Sequence, residues 1–404
     1  MQLPLFDWLA LLSFLFTFIL LSNRKLERSR LWTALVTPLA SIIGSGYLIS
    51  APLLYHIAGT NAWIFMAFIV FLAYLIGEAI RFNILHEESI LIKDKKEKLE
   101  KLISEVESFS NLALAFAYFI SVAFYLRLLS SFIFSGFLER NEALEKAMTS
   151  ILLLFIGTAG YLRGLNFLEF LEKYAVAVKL SVITGFLTIL LFFNIQHEFA
   201  YEPVNKTFSF GTLQILGGIL LIVQGFETSK YLGEKYSSTE RIKSMKVAQL
   251  ISGFIYVSFI FLVTPLLHTL NINKIDETAI IALASSLSFI MGVLIRTGPL
   301  MSQFSAAVAD TIGAGGLISA ETKGKITSRA AYLLLSLTDI LLIWILNVFE
   351  VINYASKAFA FYYLLQTVIA ITISIRKRKI LHAALFICVS FILIFIVTMS
   401  KSAE

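Results

Sequence analysis

The chain has 404 residues, of which 58% are hydrophobic and only 15% are charged. Soluble domains are nearer to half apolar and one quarter charged, so this composition excludes an ordinary soluble protein. The formal net charge of +6 is expected to lie in the cytoplasmic loops that membrane proteins enrich in lysine and arginine. It gives no support to a nucleic-acid partner.

Apolar runs recur along the whole chain and predict an all-α polytopic membrane protein. Each run has the length, about 20 residues, that a helix needs to cross about 30 Å of hydrocarbon. The runs are continuous, so they lack the alternation that a transmembrane β-barrel requires. Charged breaks separate about twelve predicted spans, at residues 3–22, 31–54, 61–85, 110–138, 147–162, 172–194, 211–230, 247–269, 282–309, 329–346, 348–375 and 380–399.

The basic residues predict the orientation of these spans. With the N-terminus outside, the cytoplasmic segments receive the basic clusters at 24–30, 93–101, 230–246, 323–329 and 376–379. The outer segments keep only Arg140, Lys146, Lys206, Lys274 and Lys401. Because cytoplasmic loops favour lysine and arginine, we predict a multi-pass protein of the cell membrane with both termini outside.

The charged segment at residues 86–109 lies between the third and fourth predicted spans and has the spacing of an amphipathic helix. Helices of this kind lie in the plane of the membrane interface. We therefore predict a cytoplasmic connecting helix along the bilayer surface, without a binding role of its own.

The second predicted span contains residues that interrupt a helix. Gly44, Ser45 and Gly46 lie between Pro38 and Pro52 in an otherwise apolar run. A helix in a membrane must satisfy its own backbone hydrogen bonds, so such a cluster needs a reason. It indicates a broken helix, or, as the alternative, a surface of small residues that permits close packing of helices.

The seventh predicted span has a similar interruption. Gly217 and Gly218 precede the run Gln224-Gly225-Phe226-Glu227, which places an ionisable group at membrane depth. The two interrupted spans run in opposite directions, and paired interruptions of this kind indicate the binding site of a transporter. Close packing alone would not explain Glu227.

Broken helices offer opposite charges to a ligand. The free N–H groups at the start of a half-helix favour a carboxylate, and freed carbonyl groups can hold an ammonium group or a cation. A zwitterion such as an amino acid fits both ends.

Four segments resemble the amino acid–polyamine–organocation (APC) superfamily of transporters. Ile43-Gly44-Ser45-Gly46-Tyr47 resembles the G-S-G-[IF] stretch of the first core helix of that superfamily. Gly225-Phe226-Glu227, followed by Tyr231-Leu232-Gly233-Glu234, resembles the G-F-E signature of the sixth core helix and the acidic residue after it. Asn166 with Lys179 resembles the approach to the fifth core helix, and Phe349-Glu350, Tyr362-Tyr363 and the basic run 376–379 resemble the tenth.

The resemblance implies a LeuT-type fold, with a five-plus-five inverted repeat and discontinuous first and sixth core helices. Residues 1–30 would then form an extra N-terminal transmembrane helix with a basic cytoplasmic loop, and 380–404 an extra C-terminal helix. The two repeats would span 31–199 and 200–379. The predicted substrate-binding residues are Gly44, Ser45, Gly46, Gln224, Gly225 and Phe226.

Three charged residues are predicted to act in coupling or gating: Lys179, Glu227 and Arg127. In similar members of the superfamily, a lysine at the position of Lys179 takes the place of a sodium ion between the first, fifth and eighth core helices. An ammonium group removed from water can lose its proton, which would allow proton coupling. The alternatives are a snorkelling Lys179 and, for Arg127, a purely structural ion pair.

The chain departs from the family pattern in front of the sixth-helix glycine. Family members commonly carry an aromatic gate there, whereas this chain has Leu221-Ile222-Val223-Gln224. The side-chain specificity of the family therefore does not carry over, and a substrate other than an amino acid stays open.

Together these patterns predict a secondary active transporter of amino acids or related small amines, which works by alternating access and is driven by a proton or sodium gradient. The alternatives are an uncoupled exchanger of organic solutes and a non-transporting receptor or scaffold with the same fold. The sequence contains no P-loop, H-E-x-x-H or G-x-S-x-G motif, so we predict neither an enzyme nor a cofactor or metal site. The expected partners are a small-molecule substrate, the coupling ion and the lipid bilayer.

Overall fold

The computed structural model of the protein describes residues 3–44, 46–86, 98–137, 141–199, 204, 206, 209–267, 277–346 and 348–400. These residues are almost entirely helical, with no strand among them. The α-helices, in chain order, are α1 Leu3–Leu21, α2 Arg24–Glu27, α3 Arg30–Ile42, α4 Gly46–Ala58, α5 Ala62–His86, α6 Lys98–Phe137, α7 Glu142–Arg163, α8 Leu165–Gln196, α9 Phe210–Ile219, α10 Ser238–Leu267, α11 Glu277–Leu287, α12 Phe289–Glu321, α13 Ser328–Ile345, α14 Val348–Arg376 and α15 Ile380–Met399.

Within the described residues, eight helical stretches are long and apolar enough to cross a membrane, and α9 and the segment Leu5–Leu21 are shorter apolar helices. Large apolar side chains such as Phe254, Ile345 and Phe391 are exposed on the outside of the bundle. Hydrocarbon solvates such side chains, whereas a contiguous apolar surface of this kind is unfavourable in water. The protein is therefore a multi-pass membrane protein, and the count of twelve spans stays a prediction.

The first predicted interruption is a true break between α3 and α4. Helix α3 ends at Ile42 and α4 begins at Gly46, so the backbone is non-helical at Ile43 and Gly44. Ser45 lies outside the described residues. Nearly all of α3 is buried, which shows that this helix is in the centre of the bundle.

The second predicted interruption is also present. After α9 the chain forms a 3-10 turn at 220–223, leaves helical geometry at Gln224 and Gly225, and continues as the short 3-10 helix Phe226–Tyr231. Gly225 has φ of +107°, a backbone conformation that side chains rarely allow. A Cβ atom here would also lie 2.7 Å from the carbonyl carbon of Ser41. Glycine is therefore required where the two broken segments meet.

Helix α6 is longer than the sequence predicted. Residues 98–109, assigned to a connecting helix on the membrane surface, are the first turns of the same continuous helix as the span at 110–138. The reason is that two acids of this part are buried and paired: Glu100 with Arg376 of α14, and Glu107 with Lys230 of the 3-10 helix. Residues 87–97 lie outside the described part of the chain.

The span predicted at 282–309 consists of two helices, α11 and α12. They separate at Ser288, whose hydroxyl oxygen accepts a hydrogen bond from the backbone N–H of Met291 at 3.0 Å. Serine at this position caps the start of a helix, which explains why the apolar run does not continue as one helix.

Helix α3 and the 3-10 helix Phe226–Tyr231 pack against each other at the centre of the bundle. Around them, α3 contacts α8, α10 and α12, and the 3-10 helix contacts α5, α10 and α12. Helix α6 packs against both α12 and α14, α1 packs on α8, α13 on α7, and α15 on α14. The two broken segments are thus enclosed by unbroken helices.

Candidate functional site

The ammonium group of Lys179 lies at the end of α3. Its Nζ donates hydrogen bonds to the carbonyl oxygens of Ala40 at 3.0 Å and Ile43 at 2.7 Å and to the hydroxyl oxygen of Ser305 at 2.9 Å. The Ile43 carbonyl is available because α3 ends at Ile42. All three donors of the ammonium group therefore have an acceptor, and the side chain is 1% exposed. Lys179 does not snorkel to the surface.

Ser302, one turn before Ser305 on α12, binds the same break. Its hydroxyl lies 2.9 Å from the carbonyl oxygen of Ile43 and 2.8 Å from that of Gly44. Gly44, Lys179 and Ser302 also line a narrow cleft, bounded by α4, α8 and α12 and otherwise mainly apolar. Tyr47 lines the same cleft, and its buried hydroxyl has no hydrogen-bond partner among the described residues.

Tyr256 of α10 joins the two breaks. Its hydroxyl is 3.1 Å from the carbonyl oxygen of Ile42 and 3.3 Å from that of Ile222, so it reaches the chain just before each break. The segments also touch directly, because a Cβ atom at Gly46 would collide with the side chain of Ile222. Sequence reasoning missed Tyr256, since a tyrosine in an apolar span gives no signal of its own.

Glu227 faces its own broken segment. Its carboxylate accepts hydrogen bonds from the backbone N–H of Gly225 at 3.0 Å and from the hydroxyls of Tyr363 at 2.6 Å and Tyr118 at 3.3 Å. The neighbouring Phe226 stacks on the ring of Tyr363, with ring centroids 5.2 Å apart. The acid thus ties the second break to α6 and α14.

A second buried acid, Asp310 of α12, was not predicted as a site residue. It accepts hydrogen bonds from the hydroxyls of Ser41 of α3 at 2.8 Å and Ser121 of α6 at 2.6 Å. Ser41 is the residue that closely approaches Gly225. The recurrence of polar residues at 302, 305 and 310 on one side of an apolar helix is the signal that could have found it.

Two further predicted site residues, Gln224 and Arg127, lie in different parts of the bundle. Gln224 is between the two 3-10 segments, and its side-chain oxygen is buried without a hydrogen-bond partner among the described residues. Arg127 forms a buried ion pair with Glu145, which joins α6 to α7. This arrangement agrees with the structural alternative for Arg127.

A further buried polar cluster surrounds Lys230, one turn after Glu227 in the 3-10 helix. Nζ of Lys230 is 2.8 Å from a carboxylate oxygen of Glu107 and 2.8 Å from the side-chain oxygen of Gln366. The amide nitrogen of Gln366 donates to the other Glu107 oxygen at 2.6 Å and to Ser110 at 2.9 Å. The cluster fastens the 3-10 helix to α6 and α14.

Two interrupted helices that meet at the centre of an apolar helical bundle are typical of membrane transporters. A sequence model of the APC superfamily transporters matches residues 24–400, and the chain belongs to this superfamily. An uncharacterised protein of Aquifex aeolicus (strain VF5) is 58% identical over 403 residues, which cover 100% of this chain and 99% of that protein. The protein is therefore a secondary transporter by family.

Solved structures agree on the fold. A substrate-bound, outward-open Na+-coupled sialic acid symporter has a TM-score of 0.56 at 10% identity, with 98% of each chain covered. A mutant of the Eremococcus coleocola manganese transporter has a TM-score of 0.53 at 12% identity, with 93% of this chain and 87% of that chain covered. These likenesses confirm the predicted LeuT-type fold.

The geometry at Glu227 leads to one prediction. Glu227→Gln keeps the shape, and its amide oxygen can still accept from Gly225 and Tyr363, which bond to one carboxylate oxygen. It removes the charge, and it replaces the oxygen that accepts from Tyr118 with an amide NH2 group, which cannot accept. We expect uptake into proteoliposomes to slow about tenfold and its pH profile to change, since losing one buried charged hydrogen bond costs about 1.5–3 kcal/mol. Glu142→Gln, at an exposed ion pair with Lys146, is the matched control. An unchanged rate and pH profile would identify Glu227 as a passive structural group.

Proposed function

We propose that the protein is a proton-coupled secondary transporter of amino acids or related small amines that works by alternating access. One observation carries the proposal. The ammonium group of Lys179 is held by two backbone carbonyl groups at the first break and by the hydroxyl of Ser305, where it takes the place of a monovalent cation.

Protonation of Lys179 would then change how firmly the end of α3 is held at the first break. The charged ammonium group satisfies three acceptors from α3 and α12. A neutral amine keeps only two N–H groups and loses the attraction to the carbonyl dipoles, so the end of α3 would be held less firmly. A proton at Lys179 thus favours the closed arrangement, and its loss favours movement of α3 against α12. This is how a proton gradient would drive the cycle.

The substrate would bind between the two breaks when they separate during the cycle, since they are packed against each other here. The start of α4 at Gly46 presents backbone N–H groups that favour a carboxylate. The free side-chain oxygen of Gln224 is an acceptor for an amine. Two buried carboxylates, Glu227 and Asp310, flank the break region and favour a substrate that carries a positive charge. A small amine, with or without a carboxylate, fits these groups best.

Ligand binding is the first test. The purified full-length protein would be screened by thermal shift against the twenty standard amino acids, putrescine, cadaverine and small primary amines. A ligand that binds the native state raises the melting temperature by mass action. We expect a stabilising compound that contains an amine, and stabilisation by carboxylates alone would contradict the proposal.

Uptake of the most stabilising compound into proteoliposomes then separates the alternatives. Accumulation driven by an imposed pH gradient, in the absence of sodium, is the expected result. Exchange that ignores the pH gradient would indicate an uncoupled exchanger, and binding without uptake a receptor. A strict need for sodium would contradict proton coupling. The proposal keeps 31–199 and 200–379 as the two repeats, with both termini outside.

A further inference from the structure

One face of α8 carries two acidic residues, Glu169 and Glu172, followed along the helix by Lys179. Glu172 and Lys179 are seven residues apart and therefore share a face of the helix, with Glu169 one turn before Glu172. Glu172 is 0% exposed and Glu169 is 2% exposed. The proton coupling proposed above uses none of these acids, and their burial in an apolar bundle needs a reason.

One carboxylate oxygen of Glu172 is available to bind a proton. One of its carboxylate oxygens accepts a hydrogen bond from the hydroxyl of Thr37 at 2.7 Å. The other oxygen is buried without a hydrogen-bond partner among the described residues. A proton can bind that oxygen without displacing an existing hydrogen bond.

Helix α3 brings Glu172 and Lys179 to neighbouring positions. Glu172 binds the side chain of Thr37, and Lys179 binds the carbonyl group of Ala40. Thr37 and Ala40 are three residues apart, which is about 4.5 Å along a helix. On α8 the two residues are separated by about 10 Å along the axis. Both side chains lean toward the N-terminus of the helix, but the lysine side chain is the longer of the two, so its ammonium group lies nearer to Glu172 than the axial separation suggests.

Glu169 lies between Glu172 and the protein surface. Glu169 accepts a hydrogen bond from the hydroxyl of Tyr236 at 2.8 Å and pairs with Nζ of Lys235 at 2.5 Å. The Lys235 side chain is 32% exposed, so water reaches Lys235 beside Glu169. On the other side of Lys179 lies the cleft that is bounded by α4, α8 and α12.

We infer that Glu172 is the proton acceptor of Lys179 and relays the proton through Glu169 to the aqueous end of α8. This inference rests on the proposed function. The two side chains form no hydrogen bond or ion pair with each other in the described part of the chain, so a water molecule carries the proton. One N–H bond of the ammonium group breaks, the water takes up that proton and releases another, and an O–H bond forms on the free oxygen of Glu172. The amine and the carboxylic acid that result are both neutral, so the net charge of the pair does not change and the water is regenerated.

The proton then passes through water to the carboxylate of Glu169 and from there to the solvent beside Lys235. Among the described residues, the ionisable side chains that act on Glu172 are Glu169, Lys173 and Lys179 of α8, Asp310 of α12, Tyr332 of α13 and Tyr236 of the turn before α10. Helix α3 contributes the neutral Thr37.

Infrared spectroscopy of the full-length protein in lipid nanodiscs tests this step without any substrate. The carbonyl stretch of protonated carboxylic acids would be followed from about pH 5 to about pH 9. We expect a titrating band in the wild type that disappears in Glu172→Gln. In Lys179→Met its midpoint should move by about one pH unit or more, because groups that share a proton titrate together.

Asp339→Asn is the matched control, since Asp339 is also a buried acid without a hydrogen-bond partner among the described residues but lies on α13. It should remove a different band and leave the Glu172 band unchanged. If Glu172→Gln fails to fold, Glu172→Asp should shift the band instead of removing it.

A Glu172 band that does not titrate, or that titrates identically in Lys179→Met, would overturn the relay. A purely structural acid would give that result. Wild-type uptake that ignores a pH gradient would instead overturn the proposed function, and it would leave the infrared result as it stands. The two failures are therefore distinguishable.

Discussion

Lys179→Met is expected to abolish accumulation driven by a pH gradient while the protein remains folded. Methionine keeps the length and apolar character of the stem but removes the charge that the carbonyl groups of Ala40 and Ile43 bind. Removing a buried charge also removes its desolvation penalty, so much of the loss of hydrogen bonds is offset. Uptake into proteoliposomes with and without an imposed pH gradient, together with thermal stability, checks the prediction.

Lys146→Met provides the matched control for Lys179→Met. Lys146 is on α7, outside the proposed proton path, and its Nζ lies 3.0 Å from the exposed carboxylate of Glu142. The control should keep wild-type accumulation, and Lys179→Met should retain only downhill exchange, at least about tenfold below the driven rate. Full accumulation by Lys179→Met would refute the role of this lysine.

Gly225→Ala is expected to have the second large effect, on both stability and ligand binding. A residue with a side chain is strained at φ of +107°, at about 1–2 kcal/mol. In addition, the new Cβ atom would lie 2.6 Å from Cβ of Ser41 and 2.7 Å from its carbonyl carbon. Since the carbonyl carbon belongs to the backbone of α3, the two broken segments must separate. We expect a lower melting temperature and loss of the ligand-induced thermal shift.

Gly324→Ala measures the loss of stability from the positive φ alone, without a collision of the new Cβ atom. Gly324 also has a positive φ, of +76°, but a Cβ atom there would meet nothing within 4 Å. The control should lose about 1 kcal/mol of stability and keep ligand binding. If both alanine variants behaved alike, the contact between Gly225 and Ser41 would have no part in the site.

Local chemistry accounts for what the sequence predicted well. The glycines at 44, 46 and 225 break helices through properties of their own backbone, so both interruptions could be located from the residue types. Glu227 could be predicted to face the break because it follows Gly225 by two residues. Lys179 required the family resemblance, since its own surroundings in the sequence are simply apolar.

Contacts between distant segments account for what the sequence did not predict. Asp310 is bonded to Ser41 and Ser121, which are far away along the chain, and no local pattern links the three. The length of α6 was underestimated for the same reason. Its first turns, residues 98–109, have the charge pattern of a surface helix. Their burial could not be predicted, because the basic partner of Glu107, Lys230, comes 123 residues later.

The buried pair of Lys230 and Glu107 has a consequence for the temperature at which the protein works. If the 3-10 helix moves in each cycle, this pair must separate in a medium that solvates charges poorly, and breaking such a pair costs about 3–5 kcal/mol. Turnover would then rise steeply on warming. The double substitution Lys230→Met with Glu107→Leu removes both charges of the pair. We expect its transport rate to depend less on temperature than that of the wild type, and to exceed it in the cold. Parallel Arrhenius plots for the two proteins would show that the pair stays closed throughout the cycle.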